Sequence, residues 1–163
     1  MKIVLYQPDI AQNLGAAMRL AACFGVPLEI IEPCGFPLTS KALRRTAMDY
    51  AAPEQLIRHK SWGAFVKSEA KTGNEAKTGS EAKTGARLVL LTTKAAKPIS
   101  DFSFEANDTL LFGRESAGVP EEVHVASQAR IYIPLAGNAR SFNLVSSASI
   151  ALFEGLRQTG GLP

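Results

Sequence analysis

The chain has 163 residues, of which 46% are hydrophobic and 20% charged; this is the profile of one globular domain with a single sizeable core, not of a disordered or low-complexity chain. No apolar run approaches the roughly 20 residues that a membrane-spanning helix needs, and two cysteines, Cys23 and Cys34, are too few for a disulfide framework or a thiolate metal site. A formal net charge of +3 does not by itself mark a nucleic-acid binder.

The first predicted element is a strand over Lys2–Tyr6, an apolar run that leads straight into Pro8. It has no long apolar stretch ending in a small-residue cleavage site, so no export signal is read and a cytoplasmic protein with reduced thiols is expected. A helix is predicted over Asn13–Phe24, with Asn13 suited to the N-cap and Gly25, followed by Pro27, as the stop. Within it, Gln12-Asn13-Leu14-Gly15-Ala16-Ala17-Met18-Arg19 combines small residues that permit close approach with one charge among apolar neighbours. Arg19 suits a phosphate or carboxylate partner, or lies along the helix with its head in water. A strand over Leu28–Glu32 follows, then a helix over Lys41–Met48 and a short strand near Gln55–Arg58. Between Lys41 and Lys60, five positive side chains (Lys41, Arg44, Arg45, Arg58 and Lys60) face two negative ones (Asp49 and Glu54), a local excess equal to that of the whole chain. Such a patch fits a phosphate backbone or an ordinary solvated face equally well.

A helix over Trp62–Ser68 leads into three six-residue units, SEAKTG, NEAKTG and SEAKTG, spanning Ser68–Gly85. Three polar units offer no apolar face to stack, which excludes a solenoid. A glycine at every sixth position weakens a helix by about 1 kcal/mol per site. The segment reads as an exposed loop or a frayed helical extension inserted into a single domain spanning residues 1–163.

The second half continues with strands over Arg87–Thr92 and Thr109–Phe112, the latter running into Gly113-Arg114-Glu115-Ser116-Ala117-Gly118-Val119-Pro120. A glycine-bounded loop after a buried strand is a common ligand-holding feature of α/β sheets. No Gly-Lys-Ser/Thr follows and the spacing is not GxGxxG, which argues against a nucleoside triphosphate or dinucleotide. Glu115 is read either as a helix-start charge or as a ligand contact. A helix over Pro120–Ser127 and a strand over Arg130–Pro134 precede a polar loop and a long helix over Asn143–Gln158, for which Ser141 and Asn143 are both good N-caps. Leu144, Ala148, Ala151, Leu152 and Leu156 form one apolar stripe along that helix.

Strands that are continuous apolar runs, alternating with helices, predict an α/β fold whose mainly parallel sheet is covered on both faces. No His/Cys/Asp/Glu group has metal-ligand spacing, so no metal is expected; His59 and His124 lie outside the motifs and read as surface or structural residues.

Taken together and in order, IVLYQPDIAQNLGAAMRL, IIEPCGF, LRRTAMDY, LTTK, LFGRESAGVP and IPLAGNARSFNL resemble the SpoU branch of the SPOUT class of methyltransferases over nearly the whole chain. The resemblance implies a C-terminal trefoil knot and use of S-adenosyl-L-methionine to methylate a ribose 2′-hydroxyl of RNA. The favoured target is the wobble nucleotide, cytidine or modified uridine, in the anticodon stem-loop of tRNA. By motif position it implies cofactor contacts from Leu91, Thr92, Gly113, Glu115, Gly118, Ile133, Leu135, Ser141 and Leu144. Arg19, Asn13, Ser141 and Asn143 are the implied catalytic residues. A homodimer formed through the first and last helices is also implied, with Arg19 of one subunit beside the cofactor of the other. Ribosomal RNA or another tRNA position is the nearer alternative target. A non-catalytic, flavodoxin-like ligand-binding module is the more distant one.

Overall fold

The computed structural model describes residues 1–39, 56–75 and 86–163. In chain order these form β1 (Lys2–Tyr6), α1 (Ala11–Phe24), β2 (Leu28–Ile31), β3 (Leu56–His59), α2 (Trp62–Glu75), β4 (Leu88–Leu91), β5 (Lys97–Pro98), β6 (Thr109–Phe112), α3 (Glu121–Ala126), β7 (Ala129–Tyr132) and α4 (Leu144–Thr159). A 3₁₀ turn, Ile99–Asp101, follows β5. The helix expected over Lys41–Met48, and Lys41, Arg44 and Arg45 of the basic patch, lie outside the described residues.

The strands form one sheet in the order β3-β2-β1-β6-β4-β7-β5, and every pairing in it is parallel. Alternation along each strand divides the core in two. Ile3, Leu5, Leu110 and Phe112 point to one face, where they meet Leu14, Ala17 and Met18 of α1 and Ala148, Ala151 and Leu152 of α4. Val4, Tyr6, Leu90 and Leu111 point to the other, against Phe65 of α2 and Val123 of α3. Because helices cover both faces, the strand sequences have no polar side to show, which is why they read as unbroken apolar runs. The stripe from Leu144 to Leu156 is buried along its whole length.

The N-terminus of α1 differs from expectation. The helix begins at Ala11, with Ile10 at the cap position and no side-chain cap, and Asn13 is its third residue. Its C-terminus is as expected: Gly25 takes a left-handed φ of 64°, a conformation that costs glycine little. Helix α2 also extends beyond the predicted Ser68 and carries the first repeat unit. Tertiary anchoring outweighs propensity there. Lys2 Nζ lies 2.6 Å from Glu69 Oε1 of that unit and 2.8 Å from Glu29 Oε1 of β2. Glu29 in turn meets the buried His59 at 2.6 Å. His124 is buried too, so both histidines are structural.

Strand β5 was not foreseen. It has two residues, one of them Pro98, and borders β7 at the edge of the sheet, a place where proline's missing N–H is tolerated. To reach it, the chain leaving β4 passes β7, which lies between them in the sheet; Thr92 N, one step beyond the last β4–β7 pair, donates to Ile131 O at 3.0 Å.

Candidate active site

Parallel strands end together, and the connections leaving β4, β6 and β7 enclose a cleft of about 530 Å³ beside the start of α4. Leu91 and Thr92 enter it from the end of β4, and Gly113, Glu115 and Gly118 from the loop after β6. Ile133, Leu135 and Ser141 line it after β7, and Leu144 contributes from the first turn of α4. All nine positions implied as cofactor contacts therefore face one space. Asn13 and Asn143, from the set implied as catalytic, line it as well.

Arg19 does not line this cleft. Six residues along a helix from Asn13, it is displaced by about 9 Å along the axis and about 120° around it. A single chain does not bring Arg19 and Asn13 to the same opening.

The loop after β6 is tightly closed. Arg114 N donates to Gly118 O and Gly118 N to Arg114 O, both at 2.9 Å. Gly118 has a φ of +67°, and a Cβ on Gly113 would stand 2.7 Å from the carbonyl carbon of Gly118. Both glycines are thus set by backbone geometry: one by its left-handed conformation, the other by contact.

A chain of hydrogen bonds then ties this loop to two helices. Asn143 is the N-cap of α4, its Oδ1 accepting from Val145 N at 2.9 Å and from Ser146 N at 3.4 Å. Its Nδ2 is left to donate to Asn13 Oδ1 at 3.1 Å. That directs Asn13 Nδ2 towards Glu115 Oε1, at 2.8 Å. The other oxygen of Glu115 accepts from Asp9 N, also at 2.8 Å. Neither asparagine can flip its amide without setting donor against donor or acceptor against acceptor along the chain. Asn13 is therefore a buried connector, and Glu115 accepts from one backbone amide, Asp9 N, and one side-chain amide, Asn13 Nδ2.

Asp9 was not singled out from the sequence, nor were its partners given roles. Asp9 Oδ1 accepts from Arg114 Nη2 at 2.7 Å and Nε at 3.1 Å. Asp9 Oδ2 accepts from Ser116 Oγ at 2.6 Å and Ser116 N at 3.1 Å. The Arg114 guanidinium, followed by the Ser116 hydroxyl, outweighs desolvation and holds the Asp9 carboxyl at about 2. Adjacent parallel pairing of β1 and β6 makes the two loops neighbours; no local pattern signals it. Arg140, quoted only within a motif, and Ser147 of α4 also line the cleft.

Among the described residues no helix is long and apolar enough to cross a membrane, and no group of three His, Cys, Asp or Glu is placed to hold a metal ion.

Comparison with known proteins places this arrangement in context. Residues 1–153 match the SpoU rRNA Methylase family. A tRNA (cytidine(34)-2′-O)-methyltransferase of Beijerinckia indica subsp. indica is 48% identical over 160 residues, covering 98% of this chain and 92% of the relative. A solved structure described as giving insights into the 2-OH methylation of C/U34 on tRNA superposes with a TM-score of 0.82 at 36% identity, over 96% of this chain and 94% of the other. The SpoU methyltransferase AviRb from Streptomyces viridochromogenes, solved in complex with AdoMet, shares the fold with a TM-score of 0.80 at 22% identity, over 97% of this chain and 57% of its own.

Proposed function

The chain belongs to the SpoU rRNA Methylase family, and from that premise we propose that it methylates the ribose 2′-hydroxyl of the wobble nucleotide, cytidine or modified uridine, in the anticodon stem-loop of cytoplasmic tRNA, using S-adenosyl-L-methionine. One observation carries the choice of substrate: near-full-length identity of 48% to a relative named for position 34 of tRNA. Family membership alone leaves ribosomal RNA open.

The cleft suits the methyl donor. Its volume of about 530 Å³ falls in the range of small-molecule sites. Leu91, Ile133, Leu135 and Leu144 offer apolar walls for an adenine ring, while Thr92, Ser141 and Ser147 offer hydroxyls. Gly113 and Gly118, without side chains, let their closed loop lie against the cleft without filling it. When bound, the sulfonium donor supplies a methyl group electrophilic enough to need no acid.

The protein's own work is then to position the 2′-hydroxyl, whose proton passes to solvent water as the methyl group is accepted. Orientation of this kind supplies roughly 7–11 kcal/mol when geometry is right. The chain Glu115–Asn13–Asn143 fixes the first turn of α4 against the loop after β6, holding Ser141, Asn143 and the cofactor walls in one frame. In this reading Arg19 comes from the second subunit of a homodimer. Its guanidinium, with a pKa above about 12, is a poor base and a good clamp for a phosphate or a hydroxyl. Helices α1 and α4 pack side by side, and α4 leaves Ile150 and Phe153 38% and 49% exposed on its outer face. Such a patch suits a two-fold interface. The trefoil knot belongs to the same reading, supported by the sheet order, in which the later strand β7 lies between β4 and β5.

The test is direct. Incubated with labelled S-adenosyl-L-methionine and total tRNA, the protein transfers label to a single ribose, and nuclease mapping locates it at nucleotide 34. Label confined to ribosomal RNA, or none in any RNA, overturns the proposal.

A further inference from the structure

We propose that a second groove, lined by Lys94, Lys97 and Arg130, holds the phosphate backbone of the RNA substrate away from the methyl-transfer cleft. This rests on the function proposed above and assigns part of its substrate recognition.

The groove measures about 350 Å³ and is walled by residues 94–97, between β4 and β5, and by residues 127–130, at the start of β7. Its walls are held by backbone contacts. Lys94 N donates to Thr92 Oγ1 and Ala95 N to Thr92 O, both at 3.2 Å, which sets the turn carrying Lys94. Lys97 is registered against Ile131 in the sheet. Gln128 accepts from Leu88 N at 2.8 Å and donates to Ala126 O at 3.0 Å, which fixes the approach to Arg130.

What marks this groove is the convergence of three cations, Lys94, Lys97 and Arg130, on one concavity; among the described residues, Lys60, Lys67 and Arg140 are likewise unbridged but do not line it. Lys2, Arg58, Arg87, Arg114 and Arg157 are each bridged to a carboxylate. Among the described residues, no carboxylate bridges Lys94, Lys97 or Arg130. Lys97 Nζ lies 5.5 Å from the ring centroid of Phe102, a contact that leaves its charge uncompensated, and all three residues are exposed. Three unbridged cations around one concavity favour an anion with repeated charges.

Position identifies that anion. Thr92 and Thr93, at the start of the β4–β5 connection, line the methyl-transfer cleft, and Lys94–Lys97, at its end, line the groove. One short connection thus separates the two openings. A strand with a ribose in the cleft carries its neighbouring phosphates past this wall. Lysine and arginine there bind backbone without reading bases, adding affinity and register.

The experiment compares wild type with the triple variant Lys94→Gln/Lys97→Gln/Arg130→Gln on tRNA over a range of salt concentrations. The variant's Kd and KM for tRNA rise roughly tenfold and the slope of log K against log salt flattens by about two to three, at about 0.7–0.9 per phosphate contact. Turnover at saturating tRNA and affinity for S-adenosyl-L-methionine stay within about twofold, as expected for contacts that position the backbone. A Lys94→Arg/Lys97→Arg/Arg130→Lys variant, which keeps the charges, restores KM. An unchanged KM and salt slope in the triple variant overturns the groove assignment while wild-type activity on tRNA stands. A wild type that methylates no tRNA overturns the function on which the assignment rests, a separate result.

Discussion

The Asp9 carboxylate joins the loop after β1 to the loop after β6 through four hydrogen bonds to Arg114 and Ser116. Its pKa falls from 3.8 to about 2 on folding. A carboxyl that is more acidic in the folded chain binds its proton more readily once unfolded, so acid favours unfolding. The stabilisation is therefore complete above about pH 4 and disappears as pH falls through about 2. Replacing Asp9 by Asn lowers stability at neutral pH by about 1 kcal/mol, or roughly 2–4 °C in Tm, given that Arg114 is partly solvated. In urea unfolding from pH 7 to pH 2, the gap between wild type and Asp9→Asn narrows only below about pH 4. Glu154, held near 2 by Arg157 and Gln158, adds an acid limb of its own to both proteins, and the difference between them cancels it. At this scale the sequence discloses residue types but not partners. Asn13 has the chemistry of a cap, yet its amide is drawn to Glu115 and Asn143, more than a hundred positions away. Asn143, whose partners Val145 and Ser146 are local, is the N-cap its position predicts.

Secondary structure follows local rules wherever burial is two-sided, as in β1 and β6, whose limits coincide with their apolar runs. The same rules miss β5, which is too short for periodicity and includes a proline, and stop α2 early because Glu69's tether to Lys2 is a tertiary contact. The loop after β6 lies between these cases. Its two glycines show in the sequence as a bounded turn, but only the structure reveals that one faces the other. Gly113→Ala places a methyl carbon 2.7 Å from backbone that has no rotamer with which to yield. The loop has to open, at about 1–3 kcal/mol by analogy with overpacking in a core. We expect a Tm lower by several degrees and affinity for S-adenosyl-L-methionine at least tenfold weaker by calorimetry. Near-native affinity in a folded Gly113→Ala protein would mean that the closed loop does not shape the cofactor cleft.

At the scale of the whole molecule, the sheet order brings three loops to one edge and leaves Arg19 elsewhere. Parallel alternation in the sequence implies such a sheet, but the strand order needed to join residues 91, 113 and 133 is invisible to local pattern and comes only from resemblance and structure. The position of Arg19 becomes functional if a two-fold axis returns α1 of one subunit to the cleft of the other. Arg19→Ala and Gly113→Ala then damage different halves of a shared site, each nearly silent as a homodimer when S-adenosyl-L-methionine is kept well below the Kd of the Gly113→Ala protein. Co-expressed in equal amounts with separate tags, the two variants form mixed dimers in which one cleft pairs an intact loop with an intact arginine. Random pairing restores about a quarter of wild-type sites, read as methyl transfer to tRNA. The double variant Arg19→Ala/Gly113→Ala gives the converse: its mixed dimer with wild type has no complete site, whereas an arginine acting within its own chain would leave one. Restored activity in the first pairing and none in purified mixed dimers of the second establish the shared site; the opposite pattern assigns Arg19 to its own subunit.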